Sequence, residues 1–474
     1  MIGMHRRIPF LSLLVVLVMV LAACGPNTDE EESDAPAEST GGQPAGSDGA
    51  SPGGSAAGLE ASGDIFAFGV SYETSDEIAQ GRIDHFRELY PDVNVEFSES
   101  GFDSQGFLTA LQSDDPPDVV RIPRTRLGTY VARGVIEPLD DCISRTGIDL
   151  GNYREAAVQQ VTIDGSVYAM PEFFWVTNWL VDNELFEQAG LDPEAWDVSN
   201  WDEIAAANDA LLEQTETLVG VDPKVSDGDR FPIWVWAAGG AMLSDDGTES
   251  LLDTPEVAEA LEFTKTLIDA HGGHVEFLDA RGEAGADFFG AENQFVTDTE
   301  GAFPMQQWYL NVLAGDGGQP EITAKPFMTT GGDVITYAEG DALAVTADSD
   351  NKDAACAFVT TMVTTDAWLA AQQLRVDTAE SIQTGTSTGN IEADEEIFGA
   401  MVDLSDSPTY EAAVNAFVET LDSAFAMPPS PAGEEFEQAW QAAVTAVLNG
   451  EQEAAEALAA ADEEAQAAID AAGQ

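Results

Sequence analysis

Aromatic side chains form three clusters in the middle of the chain, near residues 173–179, 231–236 and 308–309. Flat aromatic faces can cover the apolar C–H side of a sugar ring, while a few planar polar groups bind its hydroxyls. Core packing is the competing interpretation for any single tryptophan. The clustered residues are Phe173, Phe174, Trp175, Trp179, Phe231, Trp234, Trp236, Trp308 and Tyr309. The tryptophans assigned to core packing are Trp196, Trp201, Trp368 and Trp440.

An arginine-rich segment, RIPRTR at residues 121–126, could supply the polar partners of such a ligand. It concentrates three arginines in a chain that has only 17 basic residues. A guanidinium presents several N–H donors in one plane and therefore binds paired oxygen acceptors. The segment predicts either a site for polar ligand oxygens or a solvated basic patch.

Sequence motifs for catalysis are weak. The pattern GxSxG occurs at Ser51 and Ser387, but neither serine follows an apolar strand, as a nucleophile elbow requires. His271 and His274 sit in HGGH, which predicts a helix-ending turn better than a zinc pair. We therefore expect a protein that is not an enzyme and that needs no metal and no cofactor.

The first 24 residues are typical of an export signal. Basic residues at positions 5–7 precede an apolar run that ends in Leu-Ala-Ala-Cys at residues 21–24. The run is shorter than the roughly 20 residues of a spanning helix. Small residues directly before Cys24 resemble a bacterial lipoprotein signal, although an ordinary signal with a chance cysteine is the alternative. The resemblance implies a signal peptide at 1–23, lipid on Cys24 and anchoring to the outer face of the cell membrane.

Residues 24–62 are almost entirely small, polar or acidic, so we expect a disordered linker. The whole chain has 87 acidic and 17 basic residues and a formal net charge of −70. Such a charge repels nucleic acid and anionic lipid, which makes both poor partners. Because salt screens self-repulsion, the acidic composition favours a saline habitat.

Strand and helix patterns alternate after the linker, for example at 64–70, 75–90 and 93–97. This succession predicts an α/β fold with a parallel sheet, and the last part of the chain reads as mostly helical. Roughly 400 residues are too many for one ordinary core and enough for two lobes.

Two further cysteines remain, Cys142 and Cys356. We expect Cys356 to be a buried free thiol, and a disulfide between the two cysteines is the alternative.

Four segments resemble, in order, the family 1 extracellular solute-binding proteins of ABC importers. They are HFRELYPDVNVEF (85–97), LQSDDPPDVVRIPRTRLGTYVARGVIEPLDD (111–141), GSVYAMPEFFWVTNWLVDNELFEQAGLD (165–192) and GDALAVTADSDNKDAACAFVTTMVTTDAWLAAQ (340–372). The resemblance implies a periplasmic-binding-protein-like α/β fold, with two lobes around a ligand cleft and hinge crossings between them. The expected lobes are 63–172 plus 340–385 and 176–335 plus 390–474. The expected crossings lie near Glu172–Trp175, Ile335–Asp341 and Ala379–Gly389.

The same resemblance implies a function. A monomeric binding protein of this kind would capture a mono- or oligosaccharide by hinge closure and deliver it to the ABC permease. The residues that it assigns to the ligand are Tyr72, Glu73, Arg124, Thr125, Arg126, Trp175, Phe231, Trp234, Trp308 and Tyr309. The alternatives are a binding protein for a polyamine or another small solute and, from a different class, a surface adhesin or scaffold.

Overall fold

The computed structural model describes residues 59–70, 76–98, 100–113, 115–226, 230–315, 318–379 and 381–473. The predicted signal peptide, Cys24, Tyr72 and Glu73 lie outside the described residues. The predicted linker extends to residue 62, yet Leu59 is already buried and packs into a hydrophobic core. The folded body therefore includes residue 59, earlier than the composition predicts.

The strands form one large mixed sheet, and two of them, β4 and β5, form a separate hairpin. In chain order they are β1 (Gly63–Phe68), β2 (Val93–Phe97), β3 (Val119–Pro123), β4 (Thr162–Ile163), β5 (Ser166–Val167), β6 (Ala169–Asp182), β7 (Val219–Val221), β8 (Glu300–Gln306), β9 (Ile322–Lys325), β10 (Phe327–Met328), β11 (Val334–Val345) and β12 (Ala424–Phe425). The main path of the sheet runs β2-β1-β3-β11-β6-β8-β7. The predicted α/β class is confirmed.

Helices pack on the sheet, and their starts follow local signals. The Asp76 side chain accepts the N–H groups of Ile78 and Ala79 at the start of α1, and Asn200 caps α7 in the same manner. In chain order the helices are α1 (Glu77–Leu89), α2 (Ser104–Ala110), α3 (Arg124–Ala132), α4 (Asp140–Thr146), α5 (Glu155–Val161), α6 (Asn183–Gln188), α7 (Trp201–Gln214), α8 (Phe231–Ala237), α9 (Pro255–Asp269), α10 (His274–Ala284), α11 (Tyr309–Ala314), α12 (Lys352–Thr361), α13 (Thr365–Thr378), α14 (Ile391–Glu396), α15 (Pro408–Thr420), α16 (Gly433–Leu448) and α17 (Ala454–Ala472).

Two long strands, β6 and β11, run through both halves of the sheet. In the first half, β1 pairs in parallel with β2 and β3, and residues 341–345 of β11 pair with β3. In the second half, residues 177–182 of β6 pair with β8 and β9, and β7 pairs with β8. Between the halves the β6–β11 register shifts between Glu339 and Asp341. The residues predicted for the first two crossings lie on these strands.

Each half of the sheet has its own hydrophobic core. In the first half, Phe86 and Phe358 share a cluster with residues of β1 and β2, while Leu127 and Tyr130 of α3 belong to a second cluster. In the second half, Trp234 and Trp440 belong to the largest cluster, which also holds the inner face of α17. Separate cores are the basis for treating the halves as separate packing units.

The residues directly after 390 were predicted to belong to the second lobe, but they pack against the first half. Ala393 and Ile397 share a cluster with Ile78 of α1 and Trp368 of α13.

Among the described residues, no single helix is long and apolar enough to cross a membrane. The pair α12 and α13 reaches that length and composition only together, across a 59° bend.

Cys142 and Cys356 form a disulfide, with Cα atoms 5.8 Å apart and a sequence separation of 214. The expectation of a free thiol at Cys356 is therefore wrong. The bridge joins α4 to α12, which pack against each other. This proximity arises from the packing of distant elements, so the helical pattern around Cys356 could not reveal it.

Candidate functional site

A cavity of about 220 Å³ lies where β6 and β11 pass between the two halves. The start of α3 borders it on one side, and the segment leading into α16 borders it on another. Its polar lining includes Arg124, Thr125, Gln160, Gln306, Glu339, Asp341, Glu437 and Gln441. Its apolar lining includes Trp175, Leu243, Tyr337, Met427, Phe436 and Trp440. The cavity thus combines aromatic surfaces with amides and ionised groups.

Each lining carboxylate among the described residues has an arginine partner. Asp341 pairs with Arg121 at 2.6 Å, and Glu339 pairs with Arg230 at 2.6 Å. Glu437 accepts two hydrogen bonds from Arg126, at 2.9 and 3.0 Å. The bond to Glu437 raises the pKa of Arg126 above its usual value. The acidic groups of the cavity are therefore neutralised by the protein itself.

A second ion-pair network lies at the strand crossing. The buried Glu172 accepts from Arg82 at 2.6 Å through one oxygen and from Arg121 at 2.6 Å through the other. Burial alone would raise the pKa of Glu172, but the two arginines bring it below its usual value. The Arg82 guanidinium also lies 4.1 Å from the ring centroid of Trp368. This network fixes the crossing next to the cavity.

Arg124 is 1% exposed and binds the protein backbone. Its Nη1 donates to the carbonyl oxygens of Glu172, Phe173 and Asp341, at 2.7 to 3.1 Å. Its Nε donates to Gln160. Burial lowers the pKa of Arg124 to about 10. Arg124 lines the cavity, but its Nη1 group binds the backbone of β6 and β11 and holds these strands in place.

Three of the residues predicted to bind the ligand line the cavity: Arg124, Thr125 and Trp175. Arg126 does not line it directly but holds the lining residue Glu437. Trp175 is half-buried and stacks on Phe173, with ring centroids 4.9 Å apart. The sequence therefore located one wall of the cavity, on β6 and at the start of α3.

Phe231 and Trp234 lie in the core of the second half, not in the cavity lining. Both are fully buried in the same cluster. The Trp234 indole donates to the carbonyl oxygen of Pro223 at 2.9 Å, so its polar atom is already satisfied. The short helix α8 buries these rings, because its apolar face is directed into the core.

Trp308 and Tyr309 also lie outside the cavity lining. Tyr309 is buried and its hydroxyl accepts from Asn293 and Gln294. Trp308 is half-buried, and its indole donates to Gln306. Gln306 in turn donates to Glu339 in the cavity. Trp308 is thus linked to the cavity wall through one intervening side chain.

The opposite wall of the cavity comes from α16, which sequence reasoning missed. Trp440 was predicted to be a core residue; it is indeed buried beside Phe231, but it also lines the cavity. Glu437, Trp440 and Gln441 follow a helical spacing of three and four residues, which places them on one face. This spacing of polar and aromatic residues in the C-terminal helical region is the sequence signal that could have identified the opposite wall.

Residues 71–367, more than half of the chain, match the family model of the bacterial extracellular solute-binding proteins. The chain belongs to this family. Its members bind solutes outside the cytoplasm, which agrees with the α/β architecture and with a cavity between two halves of a sheet. The predicted family is therefore confirmed, as is its location outside the cytoplasm.

Curated relatives and solved structures resemble this solute-binding protein over different lengths. The lactose-binding protein of Rhizobium radiobacter is 23% identical over 39% of the chain and 44% of its own length. Diacetylchitobiose binding protein DasA of Streptomyces coelicolor is 27% identical over 34% of the chain and 37% of its own length. The chain thus aligns with less than half of either curated relative.

A solved structure matches almost end to end. The substrate-binding protein Lmo0181 from Listeria monocytogenes, in complex with cycloalternan, has a TM-score of 0.70 and 19% identity. The match covers 86% of this chain and 99% of that protein. At this identity the match establishes the periplasmic-binding-protein-like fold.

Proposed function

We propose that this solute-binding protein captures a neutral carbohydrate in the cavity between the two halves and delivers it to an ABC permease. The observation that carries the proposal is the lining itself. Trp175 and Trp440 supply aromatic faces for a sugar ring, and amide side chains such as Gln306 and Gln441 supply donors and acceptors for hydroxyls. Hinge closure over the ligand would follow the two crossing strands, β6 and β11.

Charge pairing favours a neutral sugar over a polyamine. A polyamine site needs carboxylates that are available to the ligand, framed by aromatic rings. Here Glu339, Asp341 and Glu437 are each bound by an arginine within 3 Å. A cationic ligand would have to displace those arginines or accept their repulsion, and either would cost binding free energy.

The relatives give independent support. The curated relatives named above bind lactose and diacetylchitobiose, and the matching solved structure holds the oligosaccharide cycloalternan. We extend the proposal to a monomeric protein, anchored to the membrane through lipid on Cys24, with a permease as its partner. The anchor rests on the Leu-Ala-Ala-Cys sequence alone.

A fluorescence and calorimetric screen tests this function. The panel contains glucose, maltose, lactose, diacetylchitobiose and mannobiose, with spermidine and putrescine as the cationic comparison. We expect saturable binding of at least one sugar and none of the polyamines. Saturable binding of a polyamine with no response to any sugar would contradict the proposal and restore the main alternative.

A further inference from the structure

One side of the cavity is closed by a direct contact between the two halves, which we call the α3–α16 wall. It consists of residues 125–133, which belong to α3 and its C-cap, and residues 427–437, which are the segment before α16 and the first turn of that helix. Thr125 on one side, and Met427, Gly433 and Glu437 on the other, also line the cavity. The wall is therefore both the junction of the halves and a boundary of the ligand site.

Backbone meets backbone at the centre of the wall. A Cβ atom at Gly128 would lie 2.1 Å from the carbonyl oxygen of Ser430. A Cβ atom at Gly433 would lie 2.2 Å from the carbonyl oxygen of Thr125. A real Cβ atom essentially never comes within 3.0 Å of a non-bonded heavy atom, so only glycine fits at either position. A sugar ring has no passage between these backbones.

Hydrogen bonds and ion pairs hold the wall on both sides of the glycine contacts. Arg126 binds Glu437 with two hydrogen bonds. The hydroxyl of Tyr130 donates to Glu434 at 2.9 Å, and the Glu434 N–H donates to Thr129 at 3.0 Å. An outer pair joins Arg133 to Glu435 at 2.7 Å. The wall is thus a built contact along a full turn of both helices.

The cavity behind the wall is small. Its volume of about 220 Å³ lies below the roughly 300–1,000 Å³ of most small-molecule sites. We propose that the cavity takes a single sugar ring, either a monosaccharide or the terminal ring of an oligosaccharide. Any further sugar ring of a longer ligand must extend out of the cavity on the side away from the α3–α16 wall. This inference rests on the proposed carbohydrate function and defines the size of its ligand.

Titration calorimetry with sugars of increasing length tests the inference. The series are glucose, maltose and maltotriose; galactose and lactose; and mannose, mannobiose and mannotriose. In the series that binds, we expect the monosaccharide and disaccharide to have dissociation constants within about tenfold, and the third ring to add nothing. Affinity that rises tenfold or more with each ring, or a trisaccharide that binds where its monosaccharide does not, would overturn the inference.

If no sugar binds, the proposed function fails and this inference fails with it. If sugars bind with a different dependence on length, only this inference fails, so the two outcomes are distinguishable.

A pair of variants tests the wall itself. Met427→Ala removes a buried side chain from the wall segment that lines the cavity. Met242→Ala makes the same truncation in the core of the second half, outside the lining.

We expect Met427→Ala to shift the ratio of disaccharide to monosaccharide affinity at least fivefold toward the disaccharide. Met242→Ala should leave that ratio unchanged. Each affinity ratio compares two ligands on the same protein sample. A loss of folded protein therefore affects both measurements equally and cancels in the ratio. An unchanged ratio in Met427→Ala would show that the wall segment does not set ligand size.

Discussion

Arginines near the cavity are bound mainly by the protein's own carboxylates and carbonyl groups. Arg82 and Arg121 share Glu172, and Arg124 binds three backbone carbonyl oxygens. Burying a charged group is costly unless it is paired and hydrogen-bonded. In a chain with 17 basic residues, concentrating so many of them here gives the strand crossing a fixed geometry and leaves the cavity nearly neutral.

Replacing Trp175 tests the aromatic wall. Trp175→Ala removes an aromatic face from the cavity, and we expect a loss of about 2 kcal/mol in binding free energy, roughly 30-fold in affinity. Trp201 is a matched control because it is also half-buried but stacks on Phe263 in the second-half core. Calorimetry on both variants should show weaker binding only for Trp175→Ala; equal effects would place the ligand elsewhere.

Replacing Arg126 tests the neutrality of the cavity. Arg126→Gln leaves Glu437 without its charged partner, and we expect sugar affinity to fall by about tenfold, or ~1.4 kcal/mol. Spermidine binding should increase in the same variant. Arg133→Gln removes the same charge from the exposed outer pair with Glu435, which does not line the cavity, and should leave both affinities unchanged. If both variants behave alike, general electrostatics rather than the pairing of Glu437 governs binding.

At the scale of elements, β6 and β11 determine where the ligand site forms. Phe173 on β6 has a φ of 59° and Gly340 on β11 a φ of 148°, so both strands leave extended geometry at the crossing. A Cβ at Gly340 would lie 2.4 Å from Nη1 of Arg124. Glycine is required there, because the guanidinium that binds the crossing occupies the space of a side chain.

The disulfide between α4 and α12 belongs to the same scale. Replacing Cys142 and Cys356 together by alanine should lower the free energy of unfolding by about 2–5 kcal/mol, since the bridge closes a long loop of chain. Urea denaturation of the double variant measures the change. Sugar affinity should be unaffected, because neither cysteine lines the cavity. An unchanged unfolding midpoint would mean that the bridge does not constrain the unfolded chain.

The whole molecule carries a net charge of −70, and this charge governs its response to salt. Acidic side chains repel one another across the surface, and the repulsion extends over a Debye length of roughly 30 Å at 0.01 M salt and about 3 Å at 1 M. Added salt therefore favours the folded state more than it would in a protein with balanced charge.

We expect the unfolding temperature to rise continuously between about 0.01 and 1 M sodium chloride, with most of the rise where the Debye length shortens from ~30 to ~10 Å. Differential scanning calorimetry measures it. Potassium chloride should give the same curve as sodium chloride, because screening depends on ionic strength. A flat or falling curve would show that charge repulsion does not limit stability at low salt, and it would contradict the expected saline habitat.

The sequence by itself determined the features that depend on neighbouring residues. Alternating strand and helix patterns predicted the α/β class, and four ordered segments indicated the family. The arginine-rich segment and an aromatic cluster suggested Arg124, Thr125 and Trp175, which line the cavity. Periodicity and caps act over a few residues, so they can be read from the chain directly.

Only the tertiary structure decided which distant residues meet. The pairing of Cys142 with Cys356 spans 214 residues, and the bond from Arg126 to Glu437 spans 311. The structure also distinguishes two tryptophans that look alike in the sequence. Trp234 is buried in the core, whereas Trp440, from the same hydrophobic cluster, also lines the cavity. Aromatic side chains bury similar area in either setting, and the setting of each tryptophan follows from the tertiary contacts of its helix, α8 or α16.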